Sequence, residues 1–311
     1  MNLRRFIDKN RKLIGYLIII ILFAFISIKA LNSYYEEDEK RKKQEVENIK
    51  NNTSNIENGQ STNVTDKKND IEKTMETFVE YCNNRKIEKA YEMLTEQCKE
   101  AMFPTVEDFE KIYINTVYDV TRTYKLVKWS TEENRVTYNV KLSEDILATG
   151  NIGNSTEEYY TFVKNDDGTY KLNVNNYIYG EDKNIEDDIN GINVKIKHVD
   201  VYDEYESTEI VITNNSDKII NLTGNKYMKN IYLKNAKGTA YSSFNSEFDS
   251  QELIMNPNSV RTFIVKFNKS YDAVNKARYL ILSDVIMDYE DYLNSEDKNN
   301  YWNRRSFEIE Y

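Results

Sequence analysis

The stretch KAYEMLTEQCKEAMFPTVEDF, residues 89–109, decides how the first half of the chain is expected to fold. Its apolar residues recur at helical spacing as far as Met102, and Pro104 then ends the helix because proline lacks a backbone N–H and clashes with the preceding turn. Thr105 and Asp108 resemble an N-terminal capping box, with Asp in place of the usual Glu, so another helix is expected to begin there. The stretch therefore predicts a helix, a break and a second helix.

The sequence on either side of this stretch completes the prediction for the first domain. An earlier helix is predicted by apolar residues that share one face: Ile71, Met75, Phe78, Val79 and Cys82. After about Tyr118 the apolar period changes to two, which predicts strands in VTRTYKLVKW, RVTYNVKL, EEYYTFV and TYKLNVNNYI. Asp167-Gly168 is a strong hairpin signal between the last two strands. Three helices followed by a curved antiparallel sheet predict an α+β domain over residues 70–180.

The pattern of this domain resembles a known family. The segment FVEYCNNRKIEKAYEMLTEQCKEAMFPTVEDFEKIY, followed by four strands that close with KLNVNNYI, looks like the nuclear-transport-factor-like (cystatin-like) cone of extracytoplasmic domains in Gram-positive surface and conjugation proteins. Members of that family include isomerases, dehydratases and non-catalytic scaffolds, among them the bitopic scaffold component of type IV secretion systems. The resemblance therefore implies a fold over residues 70–180 and leaves the activity open.

A charged run, GEDKNIEDDIN, separates this domain from a second one, and residues 181–190 are expected to form a linker. The remainder, residues 191–311, consists of short strand-like segments between turn signals such as Asn214-Asn215 and Lys237-Gly238. That spacing is typical of an all-β sandwich. The pattern resembles the Ig-like β-sandwich domains of bacterial surface lipoproteins, without the Cys and Trp hallmarks of antibody domains.

The apolar run LIGYLIIIILFAFISIKAL, residues 13–31, predicts a transmembrane helix, because it would span about 28 Å of a hydrocarbon layer about 30 Å thick. Basic residues in segment 1–12 predict a cytoplasmic tail with the C-terminal domains extracellular, although the basic residues 40–43 weaken this orientation. A signal peptide cleaved near Ala30 and a buried core helix are the alternatives. Residues 32–69 are polar and lack periodicity, so a disordered stalk is expected there.

The charge balance and the distribution of acids restrict the function. A net charge of -10, from 52 acidic and 42 basic residues, argues against a nucleic-acid partner, because duplex-binding proteins present a basic face. The predicted inward face of RVTYNVKL carries no carboxylate. Asp119 and Asp145 are the plausible general bases, and each is more simply explained as a surface residue at a strand end. No catalytic residue is predicted, and small-molecule binding or isomerase-like activity inside the cone is kept as the alternative.

Other residues with reactive or metal-binding side chains predict no cofactor and no metal site. Cys82 and Cys98 are expected to be buried thiols, because their positions on a helical hairpin would be offset by about 15 Å, beyond the roughly 7 Å that a disulfide allows. His198 is the single histidine, and its strand-like setting predicts a strand or bulge position. Residues 150–153 lack the phosphate-loop patterns, and the EF-hand-like segment 186–197 begins with Glu and ends with Lys.

Aromatic residues near the C-terminus provide the candidate interface. They lie around less regular segments, and plain core packing explains them equally well. The candidate residues are Tyr271, Tyr289, Tyr292, Tyr301 and Trp302. Together these observations predict a non-enzymatic, membrane-anchored extracytoplasmic binding or scaffold protein of the cell envelope, with protein partners in a secretion, conjugation or wall-associated assembly. A purely structural spacer is the other alternative.

Overall fold

The structure is a computed structural model that describes residues 69–144, 154–222, 230–244 and 251–311. The described residues belong to one compact unit. Strands take up 49% and helices 20% of them, so the predicted α+β class is wrong and the described chain is mostly β. The class differs because most helices are short and because the charged residues predicted as a linker belong to a strand.

Helices dominate the chain before the first strand. Their bounds are α1 (Asp70–Asn83), α2 (Ile87–Glu92), α3 (Glu96–Met102), α4 (Val106–Asp108), a π-helix (Phe109–Ile114) and α5 (Asn115–Val117). The side chain of Thr105 caps α4 by accepting a hydrogen bond of 3.1 Å from the Asp108 N–H. Helix α3 ends before Pro104, which confirms the predicted break and the predicted cap.

These helices cover one face of a four-stranded antiparallel meander. The strands are β1 (Arg122–Glu132), β2 (Arg135–Glu144), β3 (Ser155–Lys164) and β4 (Tyr170–Asn173), paired in that order. Alternating residues such as Val140, Leu142 and Phe162 are buried in a core with the apolar faces of the helices, because successive strand residues point to opposite faces. Gly168 sits in the tight β3–β4 turn at a φ of 84°, which confirms the predicted hairpin. Residues 69–177 form the first module.

The second module, residues 178–311, has two sheets that share one hydrophobic core. One sheet has the order β12-β7-β6-β5, and in the other the order is β10-β9-β13-β8-β11 with β14 paired to β13. The strands are β5 (Tyr177–Ile189), β6 (Ile192–Tyr202), β7 (Glu206–Asn214), β8 (Ile220–Asn221), β9 (Ile231–Asn235), β10 (Ala240–Ser242), β11 (Ile254–Met255), β12 (Ser259–Phe267), β13 (Ala277–Ile286) and β14 (Arg304–Glu310). A short helix, α6 (Tyr289–Asn294), follows β13.

Strand β5 joins the two modules without a linker. Tyr177 is buried in the first core, whereas the next residue, Ile178, is buried in the second. Residues 181–189, predicted as linker, continue β5 along the edge of a sheet, with Ile185 and Ile189 packed against the second core. Charged residues on an edge strand discourage pairing with other chains, which accounts for the acidic composition that suggested a linker.

The predicted membrane anchor is not found among the described residues. The span predicted over residues 13–31, and the tail and stalk on either side of it, lie outside the described residues. In the part of the chain that the structure describes, no helix is both long and apolar enough to cross a bilayer, and α1, with 14 residues, carries an exposed polar face. A spanning helix needs about 20 apolar residues. The described residues therefore do not support the predicted single-pass membrane anchor, the membrane as a partner or the extracellular location.

Candidate functional site

Four of the five aromatic residues that the sequence singled out lie together on the second module. The rings of Tyr289 and Tyr292 stack with centroids 5.9 Å apart, and Tyr301 meets Tyr292 edge-on at 5.4 Å. Trp302 continues the series at 6.2 Å from Tyr301. We call these four residues the aromatic surface. Tyr271, the fifth, lies elsewhere.

Hydrogen bonds around α6 hold the aromatic surface in place. Asp288 caps the helix by accepting from the Asp291 N–H at 3.0 Å. The Tyr301 hydroxyl donates to the Asp291 carboxylate at 2.8 Å and lies 3.1 Å from the Asp288 carbonyl oxygen. Burial and the neighbouring Asp291 raise the pKa of Tyr301 to about 12, so this donor stays protonated. These bonds hold the segment that contains Tyr301 and Trp302 against α6. Trp302 itself is 72% exposed.

Tyr271 belongs to the junction between the modules. It is 9% exposed, and its hydroxyl donates to Glu132 of β1 at 2.7 Å. Glu132 also accepts from Arg135 at 2.6 Å and from Lys276 at 2.9 Å. Burial alone would raise the pKa of Glu132, but these hydrogen bonds outweigh it and lower the pKa to about 2. Together with β5, this carboxylate holds the second module against the first.

The interior of the first module contains a polar cluster that the sequence reasoning missed. Its members are Tyr113, Tyr118, Glu158 and Tyr160, and we call them the tyrosine–glutamate cluster. The Tyr113 hydroxyl donates to Glu158 at 3.0 Å and is also hydrogen-bonded to the Tyr160 hydroxyl. The hydroxyls of Tyr118 and Tyr160 lie 3.3 Å apart. Burial raises the pKa of Glu158 to about 7, even though the bond from Tyr113 acts in the opposite direction.

The geometry of this cluster favours a packed core over a reaction chamber. Tyr113 and Tyr160 are fully buried, and Glu158 is 8% exposed. The Phe78 ring lies 6.1 Å from the Tyr160 ring, and the Phe109 ring stacks on Tyr113 at 5.6 Å. Aromatic side chains thus fill the space in which a substrate would have to meet the carboxyl group.

A sequence signal for Glu158 existed. In EEYYTFV, alternation places Glu158, Tyr160 and Phe162 on one strand face, and the structure buries all three. The predicted inward face of RVTYNVKL, in β2, carries no carboxylate, and the sequence therefore predicted Asp119 and Asp145 as the plausible bases. Asp119 is exposed and pairs with Arg122 at 2.7 Å, and Asp145 lies outside the described residues.

Both cysteines are free and buried, which confirms the prediction of two separate thiols. Burial raises the pKa of Cys82 well above its usual value and that of Cys98 to about 12, although weaker hydrogen bonding acts in the opposite direction. A thiol in this state is a poor nucleophile, because the thiolate is the reactive form. The two cysteines therefore serve as small apolar residues of the first core.

His198 lies in β6 beside a register shift, as predicted, and it is held between two carboxylates. Its Nδ1 lies 2.6 Å from Asp182 and its Nε2 lies 3.1 Å from Asp200, which also accepts from the Tyr177 hydroxyl at 2.9 Å. Partial burial would lower the pKa of His198, but the two carboxylates outweigh it and raise the pKa. A Cβ at Gly180 would lie 2.6 Å from the Tyr177 hydroxyl, so the close approach requires glycine there.

A cavity of about 240 Å³ lies beside His198, with Gln97, Glu100 and Ala101 of α3 on its other wall. Both ring nitrogens of His198 are already engaged, so the arrangement is an ion-paired tie between β5 and β6 rather than a base facing the cavity.

The residues that resemble metal-binding or phosphate-binding motifs lie in a strand and its turn, or outside the described residues. Glu186 and Asp188 belong to β5, and Asn190 and Gly191 form its turn into β6, with φ values of 55° and 79°. Across the described ranges, no three His, Cys, Asp or Glu side chains are arranged to hold a metal ion. The glycine-containing segment 150–153 lies outside those ranges.

Comparisons with known proteins assign no family. The chain matches no model of a known protein family, and no curated protein matches it. The nuclear-transport-factor-like and Ig-like resemblances therefore stay predictions.

Proposed function

We propose that the protein is a non-enzymatic binding protein that uses the aromatic surface to dock on a protein partner. The observation that carries the proposal is Trp302, which is 72% exposed at the end of a series of contacting rings in which the Tyr301 hydroxyl is hydrogen-bonded to Asp291. Tryptophan and tyrosine are the residues most often responsible for binding energy at protein interfaces. Because the series is already ordered by Asp288 and Asp291, docking would cost little additional conformational entropy.

Two further features support a binding role over catalysis. The tyrosine–glutamate cluster, which has suitable chemistry for proton transfer, is enclosed by aromatic rings. The modules are joined through β5 and through Glu132, so the aromatic surface is carried by a firm support. The first feature argues against catalysis, and the second is what a scaffold needs to hold a partner in a fixed orientation.

Site-specific photo-crosslinking in the cells that produce the protein tests this proposal. A photoreactive residue at position 302 should yield a discrete protein adduct. The control is the same residue at position 129, because Trp129 is also exposed, at 48%, but lies on β1 of the first module. Adducts that are absent from position 302, or identical at both positions, would contradict the proposal and favour the structural spacer.

A further inference from the structure

The chemistry of the aromatic surface indicates what kind of partner it fits, an inference that rests on the proposed function. Two large apolar side chains of the segment that carries the surface are exposed: Trp302 of the surface itself, 72% exposed, and Leu293 of α6, 52% exposed. Large exposed apolar side chains surrounded by polar residues are common anchors of a protein interface. Any apolar residue of a partner could pack against these two side chains. The charge of the surrounding residues must therefore determine which class of partner the surface prefers.

The rings of the aromatic surface already attract cations from the chain itself. The Lys298 ammonium lies 5.9 Å from the centroid of the Tyr292 ring, and the Arg304 guanidinium lies 5.5 Å from the same centroid. Tryptophan is the strongest cation–π partner among the aromatic side chains. Nevertheless, no Lys or Arg of the described residues lies over Trp302, so its exposed indole face can accept a cation from another molecule.

The segment that carries the surface is acidic. Residues 284–305 contain six acidic and three basic residues. Among the three basic residues, Arg304 already forms an ion pair with Asp284 at 2.6 Å. Glu290 and Glu296 are exposed, and neither has an ion-pair partner within the ranges that the structure describes. Hydrogen bonds from Asn300 and from the backbone lower the pKa of Asp297, which keeps a further carboxylate ionised next to Lys298.

From this combination we infer that the aromatic surface binds a basic peptide segment of a partner protein, in which Lys or Arg side chains alternate with apolar ones. The cation would lie over the Trp302 indole while apolar side chains contact Leu293. Glu290 and Glu296 would provide the complementary field, which accelerates encounter and rejects acidic partners. A second copy of the chain fits less well, because a symmetric contact would oppose two acidic surfaces.

Binding of synthetic peptides to the full chain tests this inference. The probes are a peptide of lysine and leucine and its counterpart of glutamate and leucine. We expect the lysine peptide to bind, with affinity that falls as salt rises, and the glutamate peptide not to bind. Trp302→Ala should weaken binding of the lysine peptide about tenfold, since the cation–π contact and the apolar area that the peptide would cover are both lost. The matched control, Trp129→Ala, should leave its affinity unchanged.

A second pair of variants tests the contribution of charge. The change Glu290→Gln with Glu296→Gln should weaken the lysine peptide and reduce the salt dependence. The control variant, Glu107→Gln with Glu110→Gln, removes two exposed carboxylates of the first module and should leave the affinity for the lysine peptide unchanged. Equal loss in both pairs would show non-specific attraction to an acidic protein and would overturn the inference. Unfolding curves of all variants should superimpose on that of the parent, because every substituted side chain is exposed.

The remaining outcomes separate the inference from the proposed function. If position 302 forms an adduct in cells but the lysine peptide does not respond to Trp302→Ala, the partner chemistry is wrong and the binding role stands. Self-association that disappears in Trp302→Ala would assign the surface to a second copy and overturn the inference. If neither an adduct nor peptide binding depends on Trp302, both proposals fail.

Discussion

The first module buries Glu158 and the second buries Glu206, with 8% and 5% of their surfaces exposed, but the two carboxyl groups have different partners. Glu158 accepts from the Tyr113 hydroxyl, and burial raises its pKa to about 7. Glu206 faces the Lys269 ammonium at 2.8 Å, and Lys269 is itself 2% exposed. The comparison shows that similar burial produces a group that titrates near neutrality in one core and an ion pair in the other. The partner, more than the depth, decides the charge.

The largest effect is expected from removing the cation of the second core. Lys269→Met would leave Glu206 buried without its counter-charge, which costs about 3 to 5 kcal/mol of unfolding free energy because an uncompensated buried charge is strongly unfavourable. Denaturant unfolding at neutral pH measures this loss. Adding Glu206→Met to the first change should recover most of the stability, since an apolar pair of similar volume replaces the ion pair. A double variant as unstable as the single one would show that Lys269 acts through packing.

The pH dependence of Glu158 is the next largest effect. Because its pKa rises from 4.5 in the unfolded chain to about 7 in the folded one, the folded state binds the proton more tightly. Its contribution is fully present below about pH 4.5 and is lost as pH rises through about pH 7, a loss of about 3.5 kcal/mol at roughly 1.4 kcal/mol per pKa unit. Glu158→Gln keeps a neutral acceptor for Tyr113 and should remove this loss.

Unfolding titrations across that pH range measure the difference between the parent and Glu158→Gln. Glu157→Gln is the matched control, because Glu157 is the preceding residue of β3 and points to solvent. The control should keep the full pH dependence of the parent. If Glu158→Gln keeps it as well, another group causes the titration, and the contrast between the two cores is weaker than the structure indicates.

Sequence patterns anticipated local features of both modules better than the long-range ones. The break at Pro104, the Thr105 cap and the Asp167-Gly168 hairpin depend on residues within a few positions, and the structure contains all three. Glu158 could have been placed inside by alternation, but its partner Tyr113 is 45 positions away, and periodicity does not pair distant elements. Its raised pKa could not be read from the strand alone.

The same distinction explains the errors at the junction. Residues 181–190 looked like a linker because charged composition resembles both a loop and a blunted edge strand, and only pairing with β6 separates the two. Tyr271 and Trp302 look alike as aromatics in irregular segments. Tyr271 is hydrogen-bonded to Glu132, 139 positions away, whereas Trp302 is exposed.

Glu132 is a third carboxylate for this comparison, because it accepts from a tyrosine hydroxyl, as Glu158 does, and is paired with cations, as Glu206 is. The smallest effect is expected here. Tyr271→Phe would remove the hydroxyl donor while Arg135 and Lys276 remain, so a loss of about 1 kcal/mol is expected at neutral pH. The lowered pKa of Glu132 stabilises the fold above about pH 4.5, and this contribution is lost as pH falls toward about 2. Without the Tyr271 donor the pKa of Glu132 should be lowered less, so Tyr271→Phe should lose less stability on acidification than the parent.

The control for this prediction is Tyr292→Phe, which removes a tyrosine hydroxyl from the aromatic surface, away from the junction. Unfolding free energies of both variants, measured at neutral pH and near pH 3 as about the midpoint of the expected titration, separate the two cases. Tyr292→Phe should follow the acid dependence of the parent. If Tyr271→Phe does the same, the two cations alone account for the low pKa of Glu132, and the hydroxyl donor contributes little at the junction.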